Sequence, residues 1–328
     1  MCTATPDCAD VIQRVADAYW KRFSDRIMAA YVTGSHAGGY AVPGSDIDLV
    51  FVLAGAVTEQ DRSASAALTK ELHGTTRLGL DLDLVGSNDA VRPALKLDSV
   101  LVRGSDVRDR LSVMPLTDWI AERRYAACWL MSHLFGGPGI AQIPLAFPDE
   151  AGEFFGYNTD RGGVSDGPEG STKDLVRSTS WAATALVATE SECFLTSKAH
   201  LLDIIGDYLP EEWARHTRNL LDFCRCQTNY EIPTSTSQRA RLRELCIRTR
   251  EFEDYYLSRH LKFLLAELSS SPDRARIARA KIAENRLPRL AARLILGSGS
   301  RNTTYANQKA GRHDSIHQRR PHPIDCRQ

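Results

Sequence analysis

The sequence predicts an α+β fold, in which a small sheet domain is followed by an all-helical domain. Short apolar segments alternate with amphipathic helical segments over the first hundred residues, whereas only helical patterns recur after about residue 112. A chain of 328 residues also has room for two domains. We therefore expect a first domain over residues 1–112, a helical domain over 113–296 and a disordered tail over 297–328, where apolar residues are scarce.

The first domain is predicted to contain five elements, two helices and three strands. Apolar residues spaced four apart predict a helix over residues 10–28. A second helix is predicted to begin after Thr58, which has Asp61 three positions on, and to end at Gly74. Apolar runs predict the three strands, at residues 29–33, 47–53 and 78–85.

The second domain is predicted from helical periodicity alone. A long segment over residues 136–170 interrupts it and is rich in Gly, Pro and Asp, which is typical of a functional or disordered loop. The predicted helices cover residues 116–135, 175–190, 198–209, 211–226, 237–268 and 273–296.

Composition excludes some classes of function. A net charge of zero argues against a general nucleic-acid binder that relies on a basic surface. The eight cysteines are scattered without zinc-finger spacing, so we expect reduced thiols that mostly fill the core. No apolar run is long enough to span a membrane, and no signal peptide is visible. We expect a cytoplasmic protein, whose oligomeric state the sequence leaves open.

Two carboxylates, Asp46 and Asp48, lie one residue apart at the start of the second predicted strand. Because alternate residues of a strand share a face, both side chains are expected on the same side of the sheet. Like charges beside a core are unfavourable unless a cation joins them. Mg²⁺ prefers oxygen ligands and often binds together with substrate phosphates. This stretch therefore predicts a metal and phosphate site.

Two neighbouring segments extend that site. The Gly34-Ser35 turn ends the first predicted strand and offers backbone N–H groups and a hydroxyl to a phosphate. Asp81 and Asp83 share one face of the third predicted strand. If that strand lies beside the second one, a third carboxylate joins Asp46 and Asp48, and three carboxylates can hold two Mg²⁺ ions.

The order and spacing of these residues resemble the nucleotidyltransferase signature of the DNA polymerase beta superfamily. That signature has an apolar residue, Gly-Ser, a gap of about ten residues, an Asp-apolar-Asp pattern and a later aspartate on a neighbouring strand. Ten residues separate Ser35 from Asp46 here, and Thr33 stands where the superfamily has an apolar residue. The resemblance covers about the first 90 residues. With its helical second half, the chain resembles the two-domain aminoglycoside adenylyltransferases, which implies a small mixed sheet in the catalytic domain.

The resemblance implies roles for the matching residues. Asp46 and Asp48 would bind both metal ions. The third carboxylate, for which Asp83 is preferred over Asp81, would bind one ion and act as, or orient, the general base. The phosphates of ATP or another NTP would lie against Gly34, Ser35 and Ser45.

The helical domain supplies further candidates by the same resemblance. Residues 186–198, of which 196–198 open a helix, resemble the stretch whose lysine contacts the triphosphate, which implicates Lys198, and Lys173 or Arg177 could assist. Residues 101–108 resemble the segment that closes the catalytic domain.

The function implied is Mg²⁺-dependent transfer of a nucleoside monophosphate, AMP from ATP preferred, to a hydroxyl with release of pyrophosphate. An aminoglycoside-like antibiotic is the favoured acceptor, which would make this an antibiotic-resistance enzyme. Adenylylation of a protein or tRNA by a toxin-like enzyme is one alternative, and a non-catalytic nucleotide-binding regulator is another. Acidic residues near the long loop and on the next helix would suit a cationic acceptor, although solvated surface positions are the preferred explanation for them: Asp160, Asp166, Glu169, Asp174, Glu190 and Glu192.

Overall fold

A computed structural model describes residues 6–134, 143–159 and 170–284 of the chain. The predicted tail over 297–328 lies outside these residues. The first part of the structure alternates strands and helices, in the order α1 (Pro6–Arg22), β1 (Ile27–Thr33), α2 (Gly34–Ala37), β2 (Ile47–Leu53), α3 (Glu59–His73), β3 (Leu80–Gly86), β4 (Ala90–Val91), α4 (Pro93–Leu97), β5 (Val100–Gly104) and β6 (Ser112–Val113).

Helices make up the second part of the structure. Six α-helices follow β6 among the described residues, and a short π-helix over Asp222–Gln227 continues the fourth of them. These helices are α5 (Leu116–Leu134), α6 (Lys173–Ser191), α7 (Lys198–Tyr208), α8 (Glu211–Leu221), α9 (Thr236–Glu267) and α10 (Pro272–Glu284).

The main sheet has the strand order β3-β2-β1-β5. β2 runs parallel to β3 and antiparallel to β1, and β5 runs antiparallel to β1 on the other side. The sheet is therefore mixed, and the predicted α+β class is confirmed. Strand β2 lies between β1 and β3, so residues at its start have a neighbour on each side.

Apolar residues cover both faces of the sheet. On one face, Tyr19 of α1 stacks on Phe51 of β2 with ring centroids 3.8 Å apart, and its hydroxyl hydrogen-bonds the Ser65 hydroxyl of α3 at 2.8 Å. On the other face, Tyr31 of β1 packs with residues that follow β4, and its hydroxyl accepts a hydrogen bond from the Val107 N–H at 2.8 Å. With both faces covered, the sheet is a fixed support for side chains at its edge.

The helical part has its own apolar clusters. One is built mainly from α5, α6, α7 and α9, and the other from α6, the turns over residues 143–159 and the segment around the π-helix. Of the sheet part, only Val42 belongs to either cluster among the described residues. The predicted division near residue 112 stays a prediction, although every strand precedes α5.

Several predicted boundaries were displaced. α1 spans Pro6–Arg22 rather than 10–28, because a turn at residues 23–26, closed by the Arg26 N–H to the Phe23 carbonyl at 2.9 Å, leads into a longer β1. β5 and α4 were not predicted as elements. The start of α3 was predicted correctly, since Thr58 and Asp61 form a capping box.

Two other predictions concern the cysteines and membranes. Cys128, Cys224 and Cys246 are buried among apolar side chains, as predicted for core filler. Among the helices of residues 6–134, 143–159 and 170–284, none has the length and apolar character needed to cross a membrane.

Candidate active site

A cavity of about 360 Å³ lies between the sheet and the helices α6 and α7. The sheet side supplies Thr33, Gly34 and Ser35 at the end of β1, together with the carboxylates near the starts of β2 and β3. The helical side supplies cations. The charged residues that line the cavity are Asp46, Asp48, Asp81, Asp83, Arg92, Arg123, Lys173, Arg177 and Lys198.

Asp48 lies at the centre of the sheet side of this cavity. It is paired with Thr33 across the antiparallel ladder and with Asp81 across the parallel ladder. Gly34 has a φ of +63°, which favours glycine, and a Cβ there would collide with Oδ2 of Asp48. The glycine of the Gly-Ser turn is thus required both by backbone conformation and by the closeness of the carboxylate.

Asp46 is bound by cations from the helical part. Its Oδ1 lies 2.7 Å from Nζ of Lys173, and its Oδ2 lies 2.8 Å from a terminal nitrogen of Arg177. Burial raises the pKa of Asp46, but the two ion pairs outweigh burial, so the pKa lies below its usual value. Because Lys173 and Arg177 are one helical turn apart on α6, both reach the same carboxylate.

The start of α6 is fixed by a neighbouring segment. The Thr172 N–H donates to the Tyr230 carbonyl at 2.8 Å, and Ser171 forms a β-bridge with Glu231. Thr172 precedes Lys173 directly, so these bonds hold the first turn of α6 opposite Asp46. The candidate cations are thereby positioned by backbone contacts.

The register distinguishes the two candidates for the third carboxylate. Asp81 lies beside Asp48 on the ladder, whereas Asp83 lies beside Val50, one pleat further along β3. One Asp83 oxygen also accepts a hydrogen bond from the Leu84 N–H at 2.9 Å. The geometry therefore favours Asp81, which the sequence analysis ranked second. The sequence did not reveal this, because both residues share a strand face and only the pairing with β2 separates them.

The carboxylate of Asp48 has a perturbed pKa. Burial, reinforced by the nearby Asp81 carboxylate, raises the pKa of Asp48 to about 7. Burial and the neighbouring Asp83 also raise the pKa of Asp81. Burial and mutual repulsion disfavour the charged forms of these two carboxylates, and a hard divalent cation bound by their oxygens would offset that cost. Within the described ranges, however, no three His, Cys, Asp or Glu side chains are arranged as a metal site.

Lys198 lies at the first position of α7, directly after the N-cap residue Ser197. Burial, reinforced by the nearby Arg225, lowers the pKa of Lys198 to about 8, while Asp48 opposes the change. A lysine amine in this position is poised to meet an anion that enters the cavity. The predicted contact of Lys198 with a triphosphate stays a prediction.

A second bridge between the two parts holds the loop that precedes β2. A terminal nitrogen of Arg225, in the π-helix, donates to the Tyr40 carbonyl at 2.7 Å and lies over the Tyr40 ring. Within that loop, the Ser45 hydroxyl accepts a hydrogen bond from the Val42 N–H at 2.9 Å. Ser45 is buried, and its side chain shapes the turn before Asp46. Ser35, the other predicted hydroxyl, lines the cavity.

The acids predicted to bind a cationic acceptor do not line the described part of the cavity. Asp174 is buried and lies 3.3 Å from Arg177. Glu190 pairs with Arg259 at 3.5 Å, and Glu192 ends α6 with an exposed side chain. The other three, Asp160, Asp166 and Glu169, lie outside the described residues.

Four residues at this site were not predicted from the sequence. Trp181 could have been found, because it lies four residues after Arg177 and eight after Lys173, on the same helical face. No pattern in the sequence marks the three arginines, because tertiary contacts alone bring them to the cavity or its rim. These are Arg92, Arg123 and Arg225.

A mixed sheet that presents a Gly-Ser turn and neighbouring aspartates to a cation-lined cavity defines a class of enzyme that transfers phosphorus-containing groups. Residues 14–108 match the family described as a nucleotidyltransferase domain. The first part of the chain therefore is a nucleotidyltransferase domain, as the resemblance implied, and the chain is an enzyme of the nucleotidyltransferase class. The match includes the Gly-Ser turn and all four aspartates.

Two solved structures are similar to this chain in part. One is a spectinomycin adenyltransferase from Enterococcus faecialis with ATP and spectinomycin, with 12% identity, a TM-score of 0.45 and coverage of 74% of this chain and 98% of that one. The other is a mutant of the toxin–antitoxin pair MntA-HpeT, with 15% identity, a TM-score of 0.25 and coverage of 38% and 94%. With TM-scores below 0.5, neither likeness decides the function of this chain. No curated protein sequence matches it.

Proposed function

We propose that this enzyme transfers a nucleoside monophosphate, AMP from ATP, to a hydroxyl of a small molecule and releases pyrophosphate. The bond between the α-phosphorus and the bridging oxygen breaks, and a bond from the acceptor oxygen to the α-phosphorus forms. The acceptor hydroxyl loses its proton, and pyrophosphate leaves with the electron pair of the broken bond. The observation that carries this proposal is the convergence of carboxylates from the sheet and cations from α6 and α7 on one cavity.

The cations serve the triphosphate in this proposal. Lys198 has a desolvated amine that gains a partner when a phosphate oxygen enters. Lys173 and Arg177 are ion-paired with Asp46 at 2.7 and 2.8 Å, and phosphate oxygens at the same place would share their hydrogen bonds. Charge that develops on the leaving pyrophosphate is then met by groups already oriented toward it.

The acceptor proton is assigned to Asp81. Its side chain lines the cavity, beside Asp48, and carries a raised pKa. A carboxylate with a raised pKa is a stronger base, so it can take the hydroxyl proton as the new bond forms. Asp83, which the resemblance preferred, lies further along the strand with one oxygen engaged by the Leu84 N–H.

The donor chemistry supports divalent metal binding. Asp46, Asp48 and Asp81 would hold Mg²⁺ through oxygen atoms. The bound ion would neutralise phosphate oxygens and increase the acidity of the acceptor hydroxyl. The number of ions, two in the sequence prediction, stays a prediction.

The test measures pyrophosphate release with Mg²⁺ and each of ATP, GTP, CTP and UTP against a panel of hydroxylated small molecules, aminoglycosides first. Asp48→Asn is expected to lower kcat by about 10³-fold, because the central carboxylate of the site loses its charge. Asp207→Asn, an exposed acid on α7, removes the same charge elsewhere and should keep full activity. Full turnover by Asp48→Asn would overturn the proposed site.

A nucleotide labelled at the α-phosphate distinguishes two alternative functions from the proposed one. A toxin-like enzyme would attach α-labelled nucleotide to a protein or tRNA rather than to a small molecule. A regulator would bind the nucleotide and release no pyrophosphate with any acceptor. The chain's zero net charge supports the small-molecule reading over tRNA.

A further inference from the structure

Helix α6 gives the cavity two ends. Lys173 and Arg177 on its first turns face Asp46. The same face continues through Trp181 to Thr184, and both residues also line the cavity. At 1.5 Å per residue, Thr184 lies about 10 Å beyond Arg177 along the helix. If the triphosphate occupies the Lys173 end, as in the proposed function on which this inference rests, the acceptor occupies the Trp181 end.

The ionic groups near the acceptor end include two arginines joined by one carboxylate. Arg92, at the N-cap of α4, lies 3.0 Å from the Glu122 carboxylate, and Arg123 of α5 lies 2.5 Å from it. Both arginines line the cavity. These three groups leave one positive charge in excess. The Asp81 carboxylate acts on Arg92 as well, whereas Glu122 is the carboxylate that acts on Arg123, so the arrangement suits one ligand carboxylate at Arg123.

Arg123 is the better placed of the two arginines. Its Nε–H is buried and, among the residues that the structure describes, has no hydrogen-bond partner. Burial lowers the pKa of Arg123, while Glu122 opposes that change. A buried donor without a partner is unfavourable, and a ligand oxygen that reaches it would remove that cost.

A contact between α5 and α6 locates this arginine relative to the rest of the cavity. Nε of the adjacent Arg124 donates to the Thr189 hydroxyl at 2.9 Å. This bond places that stretch of α5 beside the second half of α6, away from Lys173. Arg123 is therefore on the side of Trp181 and Thr184. The triphosphate end has its own cations.

We propose that the acceptor carries a carboxylate beside an aromatic or apolar group, and that Arg123, with Arg92, binds this carboxylate. A guanidinium matches the two oxygens of a carboxylate, and one excess charge matches a monoanion. Trp181 offers an apolar surface for the remainder of the acceptor. Such a substrate differs from the cationic aminoglycoside that the sequence resemblance implies.

The test uses three small probes with the same ring and hydroxyl but different charge: 4-(hydroxymethyl)benzoate, 4-(hydroxymethyl)benzamide and 4-(hydroxymethyl)benzylamine. Each is titrated by calorimetry into the full chain saturated with Mg²⁺ and α,β-methylene-ATP, so that the triphosphate cations are occupied. The benzoate is expected to bind at least about 10-fold more tightly than the amide. The amine is expected to bind most weakly.

Substitutions of the arginines then test whether these residues cause the preference for the benzoate over the amide. Arg123→Gln should reduce the benzoate-to-amide preference to about one, and Arg92→Gln should reduce it in part. Arg215→Gln, which removes an exposed arginine paired with Glu211 on α8, should leave the preference unchanged. Thermal unfolding of each variant establishes that it is folded, and Arg92→Gln provides the test if Arg123→Gln does not fold.

Equal binding of benzoate and amide, tighter binding of the amine, or no saturable binding of the benzoate would overturn the proposal. These titrations need no turnover, so they are independent of the proposed reaction. Selective benzoate binding without pyrophosphate release from any nucleotide would reject the reaction and keep the carboxylate site. Pyrophosphate release with aminoglycosides, without a preference for the benzoate, would keep the reaction and reject the carboxylate site.

Discussion

The sheet part and the helical part of this protein contribute opposite charges to one cavity. The carboxylates of Asp46, Asp48 and Asp81 come from β2, β3 and their approaches, whereas Lys173, Arg177 and Lys198 come from α6 and α7. Neither part alone holds a balanced set of charges. Because the acids and the cations come from different parts, packing of the helical part against the sheet part completes the site. A sheet edge with clustered acids supplies only the carboxylates of this site.

The two parts also differ in the pKa of an acidic residue that each contains. Asp46 meets two cations across the cavity, and its pKa lies below its usual value. Glu253, deep in the helical part, accepts hydrogen bonds from the hydroxyls of Tyr157 and Ser178. Burial raises the pKa of Glu253 to about 7. Ion pairs at the cavity thus favour the charged form of Asp46, whereas burial in the core favours the protonated form of Glu253.

The largest effect is expected within the sheet part. Asp81→Asn should lower kcat by about 10³-fold, because it removes the proposed proton acceptor. Asp83→Asn should lower kcat by less than about 10-fold, because Asp83 pairs with Val50 rather than with Asp48. Steady-state kinetics of the two variants with the same acceptor make the comparison. The reverse order of effects would restore Asp83 as the third carboxylate.

The next effect tests the helical part. Lys198→Met should lower kcat/KM for the nucleotide by about 10²-fold, since it removes a preorganised charge near the triphosphate. Lys262→Met, an exposed lysine on α9, is the matched control. An unchanged kcat/KM in Lys198→Met would mean that the sheet part binds the nucleotide without this cation.

A pair of glycine substitutions tests the contact between the Gly-Ser turn and Asp48. Gly34 and Gly39 both have positive φ values, of +63° and +70°, so alanine at either costs about 1–2 kcal/mol of stability. A Cβ at Gly34 collides with the Asp48 carboxylate, whereas a Cβ at Gly39 meets open space. Gly34→Ala should therefore lower kcat about 10-fold more than Gly39→Ala. Equal kinetic losses would show that backbone strain alone matters there.

Glu253→Gln is expected to have the smallest effect on activity. It is also expected to change how the free energy of unfolding depends on pH. Because its pKa is raised to about 7, the folded protein binds a proton that the unfolded chain releases above its ordinary pKa of 4.5. The stability that this residue contributes is fully present below the unfolded-state pKa of 4.5 and is lost as the pH rises through the folded-state pKa of about 7. The loss is on the order of 3 kcal/mol.

Urea unfolding at pH 5 and pH 8 measures this loss. The fall in the free energy of unfolding between the two pH values should be smaller in Glu253→Gln than in the unmodified chain. Glu244→Gln, an exposed acid on the same helix, should show the unmodified fall. An equal fall in all three proteins would contradict a raised pKa at Glu253.

Local patterns predicted much of the fold because they depend on near neighbours. The capping box at Thr58 and Asp61 places the start of α3 to within a residue, and the uninterrupted pattern of α9 predicts its full length. β5 was missed because this strand has partly exposed apolar residues at the edge of the sheet. The helical tract predicted over 211–226 changes to a π-helix at Asp222, where Arg225 reaches the Tyr40 carbonyl.

The sequence by itself determined the reactive end of the site. Gly34, Asp46 and Asp48 are close in the chain, so strand alternation and turn conformation suffice to bring them together. Only the tertiary structure decided which aspartate of β3 lies beside Asp48, and which cations face the cavity. These depend on strand register and on helix packing over more than a hundred residues, where side chains meet through the fold rather than through the chain. Arg123 belongs to that second group.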